Sequence, residues 1–271
     1  NYTESRLWKK VFDITNNIDF IHPIFLTEDF FMYAVAKNWE IIKSCFFPIK
    51  FLKDKKFFLT AIEECKKLTK RCVIGVLRGL SAAGLHGNSL EEICLKAVEK
   101  VPFCIEYITS NFNLTPEFER NLCLEAVKED GRAFFLIPKK YIENDKEICF
   151  EAVKNHGRVI EYFCSNKTAY ENCDTTEAFE LSLTAVQQSG FAVKSALQFF
   201  NGNFNEETAS FSHDYYYNTI CETAIRQNFR CAGYIKVKNR FFNLVESLAS
   251  PQHDIQNIYR NGFLRTKRIV Q

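Results

Sequence analysis

Turn-forming residues are scarce in this chain: 10 Gly and 6 Pro in 271 residues, about half the usual share of each. Few strand-to-strand turns can be built from so little, which disfavours an all-β sandwich or barrel and favours helices. A run approaching the ~20 apolar residues of a membrane-spanning helix is also missing. The most apolar short stretch, Cys45-Phe46-Phe47-Pro48-Ile49, is broken by Pro48 and followed at once by Lys50. Neither charge sign dominates. Lys and Arg number 35 against 33 Asp and Glu, net +2, so bulk charge does not draw the chain to a polyanion. Methionine occurs once, at Met32, so the native start is expected upstream of Asn1, together with any targeting segment.

Motifs of catalysis and metal binding are missing as well. There is no phosphate-cradling glycine loop, no nucleophile elbow and no paired acid/base spacing. No CxxC occurs, and no His stands within two to four residues of a Cys, so the zinc spacing test fails. The five histidines (His22, His86, His156, His213, His253) are dispersed. Three sequons, at Asn1, Asn113 and Asn166, are chance products of an Asn-rich chain, and Thr115 within the second reads better as a helix cap.

What is abundant is phenylalanine, 27 residues, within an ordinary globular mixture of 46% hydrophobic and 25% charged. The apolar residues are also ordered. Ala-Val or Ala-Ile recurs at Ala34, Ala61, Ala97, Ala126, Ala152, Ala185 and Ala224. With each Ala as position zero, position −4 is Phe30, Phe57, Ile93, Leu122, Ile148, Leu181 and Ile220. Position +7 is Ile41, Leu68, Cys104, Ala133, Val159, Ala192 and Cys231; position +11 is Cys45, Cys72, Ile108, Ile137, Phe163, Ala196 and Ile235. All are apolar, at helical spacings interrupted once.

The interruption falls at position +5, which is Gly131, Gly157 and Gly190 in three units and reads as a left-handed helix stop. Start signals precede the units: Thr27-Glu28-Asp29, Asn88-Ser89, Thr115-Pro116-Glu117, Asn144-Asp145 and Thr175-Thr176-Glu177. Each unit is therefore expected to be a helix, a tight turn and a second helix, with the small Ala admitting a close neighbour. Spacings of 27, 36, 29, 26, 33 and 39 between the alanines imply loop insertions. The longest insertion is 201–218, and Gly75, Gly79, Gly84 and Gly87 mark a hinge across 75–88. The fold expected is an all-α solenoid of about seven irregular repeats, with sub-arrays 1–87 and 88–271.

The segments Ile93–Val98, Leu122–Gly131 and Ile148–Gly157 resemble an uncharacterised short helical repeat family. That family occurs in amoebae, giant viruses and amoeba-infecting bacteria such as Legionella. The resemblance spans about residues 88–200 and transfers no catalytic residue. It implies a scaffold, and a translocated bacterial effector or an effector's regulator.

Eleven cysteines fit neither disulfide nor metal patterns. Cys94, Cys123, Cys149 and Cys221 share position −3, Cys104 and Cys231 share +7, and Cys45 and Cys72 share +11. These are core registers, where thiols act as small hydrophobes, and their retention points to a reducing cytoplasm.

Two surface features remain. Over 50–71, Lys50, Lys53, Lys55, Lys56, Lys66, Lys67, Lys70 and Arg71 face only Asp54, Glu63 and Glu64, and Arg260, Arg265, Lys267 and Arg268 make a basic tail. A solvated helix face is the plain account; an acidic membrane surface or partner is the functional one. Tyr215-Tyr216-Tyr217 cannot all face one core on a helix, so at least one is expected to be exposed as a contact residue. The function expected is a non-catalytic, monomeric protein-binding scaffold without cofactor, metal or nucleic-acid partner. The alternatives are an enzyme using His86, His213 and Asp214 from the 75–88 break and the 201–218 insertion, and a peripheral membrane module.

Overall fold

The computed structural model describes residues 2–38, 40–41, 47–63, 70–84, 86–207, 209–235 and 241–248. Within them the chain is all-helical, with no strand. In order come α1 (Tyr2–Thr15), α2 (Glu28–Lys37), α3 (Ile49–Leu52), α4 (Lys55–Glu63), α5 (Lys70–Ala83), α6 (Asn88–Lys100), α7 (Ile105–Asn111) and α8 (Pro116–Glu129). Then follow α9 (Lys139–Asn144), α10 (Lys146–Asn155), α11 (Ile160–Phe163), α12 (Thr175–Gln188), α13 (Val193–Asn203), α14 (His213–Gln227) and α15 (Phe242–Leu248). Two compact units divide the chain inside α8, Asn1–Ala126 and Val127–Gln271.

All seven register alanines lie in the even-numbered helices α2 to α14, and each is fully buried. Their partners at −4 and +1 are buried with them, as is every residue at +7 and +11 whose side chain is described. In the first unit the phenylalanines form a continuous ring network. Phe12, Phe30, Phe31, Phe47, Phe51, Phe57 and Phe58 touch in series with centroids 5.1–6.4 Å apart. Each such ring contributes about 1.5–3 kcal/mol by leaving water.

The glycines at +5 do not stop helices in the left-handed conformation; among the described glycines only Gly84 and Gly87 have φ in that region. The turn is made one residue earlier, at +4. Asp130, His156, Ser189 and Asn228 are near-extended, with φ between −157° and −138°, and each opens a 3-10 segment: Gly131–Leu136, Gly157–Val159, Gly190–Ala192 and Phe229–Tyr234. In the Ala152 and Ala185 units the second helix thus begins as a 3-10 turn, whereas in the Ala126 unit extended Ile137 and Pro138 separate the 3-10 segment from α9.

Glycine is required here for close approach. A Cβ on Gly131 would sit 2.6 Å from the carbonyl oxygen of Ala152, one on Gly157 2.2 Å from that of Ala185, and one on Gly190 2.6 Å from that of Ala224. Each glycine abuts the position-zero Ala of the following unit. The contact is clipped by a carboxamide at +3 of that unit: Gly131 N–H donates to Asn155 Oδ1 at 2.7 Å, Gly157 N–H to Gln188 Oε1 at 2.8 Å, and Gly190 N–H to Gln227 Oε1 at 2.7 Å. Asn155 Nδ2 donates back to the Lys128 carbonyl at 2.7 Å, near the end of the previous helix. Such carbonyls have no partner within their own helix.

The start signals hold with small shifts. Thr27 and Thr115 cap α2 and α8 through the amides of Phe30 and Phe118, both at 3.3 Å, and Asp145 caps α10. For α12 the cap is Asp174, in a reciprocal box with Glu177, one residue before the expected Thr175. Helix α6 starts at Asn88 behind Gly87, with no side-chain cap. Gly75 and Gly79 lie inside α5, so the turn before α6 is confined to the Gly84–Gly87 stretch.

Candidate functional site

Part of the basic stretch is engaged within its own unit. Lys55 pairs with Glu92 and Lys70 with Glu106, each at 2.7 Å, while Lys96 approaches Glu63 at 3.7 Å. Lys50 stands over the Phe51 ring at 4.9 Å. Lys53 and Lys56 are exposed. Lys66 and Lys67 lie outside the described residues, as do the Arg71 side chain and the basic tail from Arg260. Two cations of the stretch are therefore met by carboxylates from α6 and α7, which a window on 50–71 cannot reveal.

The 201–218 insertion is anchored at both ends. Thr175 Oγ1, fully buried at the start of α12, accepts the Asn205 amide at 2.9 Å and donates to the Asn205 carbonyl at 3.3 Å. His213 Nε2 meets Asn201 Oδ1 at 2.8 Å, and its ring stacks on Phe200 and lies edge-on to Phe204. Of the three tyrosines Tyr216 is buried against Phe179 and Phe200, Tyr217 is half-buried beside His213, and Tyr215 is exposed. The exposed ring of Tyr215 packs on the exposed Phe211 at 4.6 Å. His86 is exposed in the first unit, whereas His213 and Asp214 begin α14 in the second.

Cys94, Cys104, Cys123, Cys149, Cys164, Cys173, Cys221 and Cys231 are free thiols. Burial pushes Cys94, Cys104, Cys149, Cys221 and Cys231 up to about 12, with Cys94 adding to the effect at Cys104 and Cys221 at Cys231. Cys164 and Cys173 rise to about 11, also through burial. A protonated thiol is a poor nucleophile and a poor metal ligand. Among the described residues no three His, Cys, Asp or Glu side chains group in metal-binding geometry.

One arrangement escaped the sequence analysis. In the second unit the four 3-10 segments contact one another in chain order, 131–136 with 157–159, that with 190–192, and that with 229–234. Their second residues, at position +6, are Arg132, Arg158, Phe191 and Arg230, and all four are exposed. Phe135 joins them, 53% exposed, its ring 6.0 Å from that of Tyr162. Apolar registers alone were compared across the units, so a row at +6, polar in most of them, gave no signal.

A family model described as a domain of unknown function (DUF4116) matches residues 119–166. No curated protein and no solved structure matches the chain. Where the family model matches, the chain is similar to that domain, over the whole −4 to +11 register of both the Ala126 and the Ala152 units.

Proposed function

We propose that this chain is a non-catalytic protein-binding scaffold, an α-solenoid of about seven irregular helix pairs. The observation that carries the reading is the exposed row at +6. Equivalent positions of consecutive, directly contacting segments offer Arg132, Arg158, Phe191 and Arg230 side by side. Stacked helix pairs hold such positions at fixed spacing along one surface, which suits an elongated partner more than a small molecule. The exposed Phe211–Tyr215 pair supplies a second contact point of the kind common in interaction hot spots. The resemblance of residues 88–200 extends the proposal to a translocated effector, or a regulator that binds another effector or a host protein.

The test is capture with the purified full chain from lysates of its source and of a host cell, followed by reconstitution with the purified partner. A one-to-one complex by light scattering is the expected result. Failure of a folded chain to retain any protein in stoichiometric amount would overturn the reading.

A further inference from the structure

We propose that the row of 3-10 segments in the second unit is the docking surface for an acidic segment of a partner protein that also carries large apolar side chains. This rests on the scaffold reading. The net charge of +2 conceals a partition between the two kinds of element. The second halves of the units, residues 131–144, 157–163, 190–203 and 229–234, hold six basic side chains against two acidic ones. The first helices of the same units, α8, α10, α12 and α14, reverse this, with five basic against ten acidic. One set of elements is thus cationic and the other anionic, and the row at +6 belongs to the cationic set.

The cations stand beside exposed apolar surface. The Arg132 and Arg158 side chains are 59% and 65% exposed, and Phe135 and Phe191 are 53% and 47% exposed. Arg beside exposed aromatic rings is the composition of protein-binding hot spots. Carboxylates of a partner meet Arg158 foremost, since Asp130 already holds the fork of Arg132, and its apolar residues cover the two Phe rings.

The same geometry disfavours nucleic acid. Asp130 holds Arg132 through two contacts, Nε at 3.0 Å and Nη2 at 2.6 Å, and Glu161 stands 3.7 Å from Arg158. A phosphate backbone brings about one charge per 1.7 Å of duplex and would meet these carboxylates along its path. A peptide can place an acid at Arg158 and keep its other acids away from Asp130 and Glu161.

The experiment selects binders to the full chain from a phage library of random linear peptides and measures the recovered peptides by fluorescence anisotropy. The expected peptides carry Asp or Glu beside Phe, Leu or Trp. Their affinity falls about tenfold in Arg158→Glu and in Phe191→Ala, and weakens with added salt. Glu180→Lys, on the anionic α12, leaves it unchanged. Matching thermal melts show that the variants are folded. Peptides without acids, or binding lost in Tyr215→Ala but not in Arg158→Glu, would reject the row and leave the scaffold standing. Displacement of the peptides by oligothymidylate at equal concentration would assign the surface to nucleic acid and reject the proposal. No peptide, with a partner still captured from lysate, rejects the row alone; neither peptide nor partner removes both readings.

Discussion

The backbone amide of Gly157 donates to Oε1 of Gln188, 31 residues ahead, at 2.8 Å, and the same glycine lies against the carbonyl of Ala185. The relationship recurs between Gly131 and Asn155 and between Gly190 and Gln227. One unit supplies a donor without a side chain; the next supplies the acceptor and the surface it rests on.

Gly157→Ala is predicted to destabilise the chain by about 2–3 kcal/mol, because the added methyl carbon meets backbone that cannot swing aside. Gly202→Ala, in α13 with nothing within 4 Å of the new carbon, should be neutral or stabilising by up to about 1 kcal/mol. Urea unfolding of both variants decides the matter, and equal midpoints would contradict the close-approach account.

Gln188→Met keeps the length of the side chain and removes the acceptor, leaving the part-buried Gly157 amide without it. A loss of about 1–2 kcal/mol is expected. Gln188→Glu retains an acceptor oxygen and should lose less. If both lose equally, the hydrogen bond is not what the carboxamide contributes.

Stability should decline in alkali. Thiols such as Cys94 and Cys221, raised by burial from an ordinary value near 9 to about 12, keep protons in the folded chain that the unfolded chain releases. Their contribution is therefore complete below about pH 9 and is lost as pH rises towards 12. The urea midpoint should fall between pH 8 and pH 10. At pH 8 these thiols are thiolate in about one molecule in ten thousand, so alkylation should be slow in the folded chain. Among the described cysteines, mass-spectrometric mapping should find the half-exposed Cys164 modified first. Rapid labelling of Cys221 in the native state would contradict the assigned burial.

Thr175→Val is isosteric and removes both hydrogen bonds to Asn205. Amide exchange at Asn205 and Glu207 should quicken about tenfold, while α10 keeps its protection. Unchanged exchange would mean that the ring cluster around His213, and not Thr175, fixes the insertion.

The register of the helices was legible because Ala, its β-branched neighbour and the apolar residues at −4, +7 and +11 obey one local spacing. Helix starts were legible to within a residue for the same reason, since a cap and its amide lie three positions apart. The role of Gly157 was not legible, because its partner belongs to the next unit and the interval varies with the inserted loop. A phase-shifted comparison would have found it: glycine at +5 of one unit precedes Asn or Gln at +3 of the next in all three cases. The pairing of Lys55 and Lys70 was not legible for a similar reason, as Glu92 and Glu106 approach them from 37 and 36 residues away. The exposed row at +6 was not legible because that register mixes Glu, Lys, Arg and Phe and so carries no apolar period.

The clip between units has a further consequence for how such a chain can change length. Each joint is made of two unlike halves, a bare amide on the trailing edge of one unit and a carboxamide on the leading edge of the next. The three joints use the same halves, so excision of residues 132–157 would bring Gly131 to the place of Gly157, facing Gln188 and Ala185. The glycines and carboxamides are thus interchangeable couplings, and whole units can be gained or lost by recombination without a new joint having to evolve.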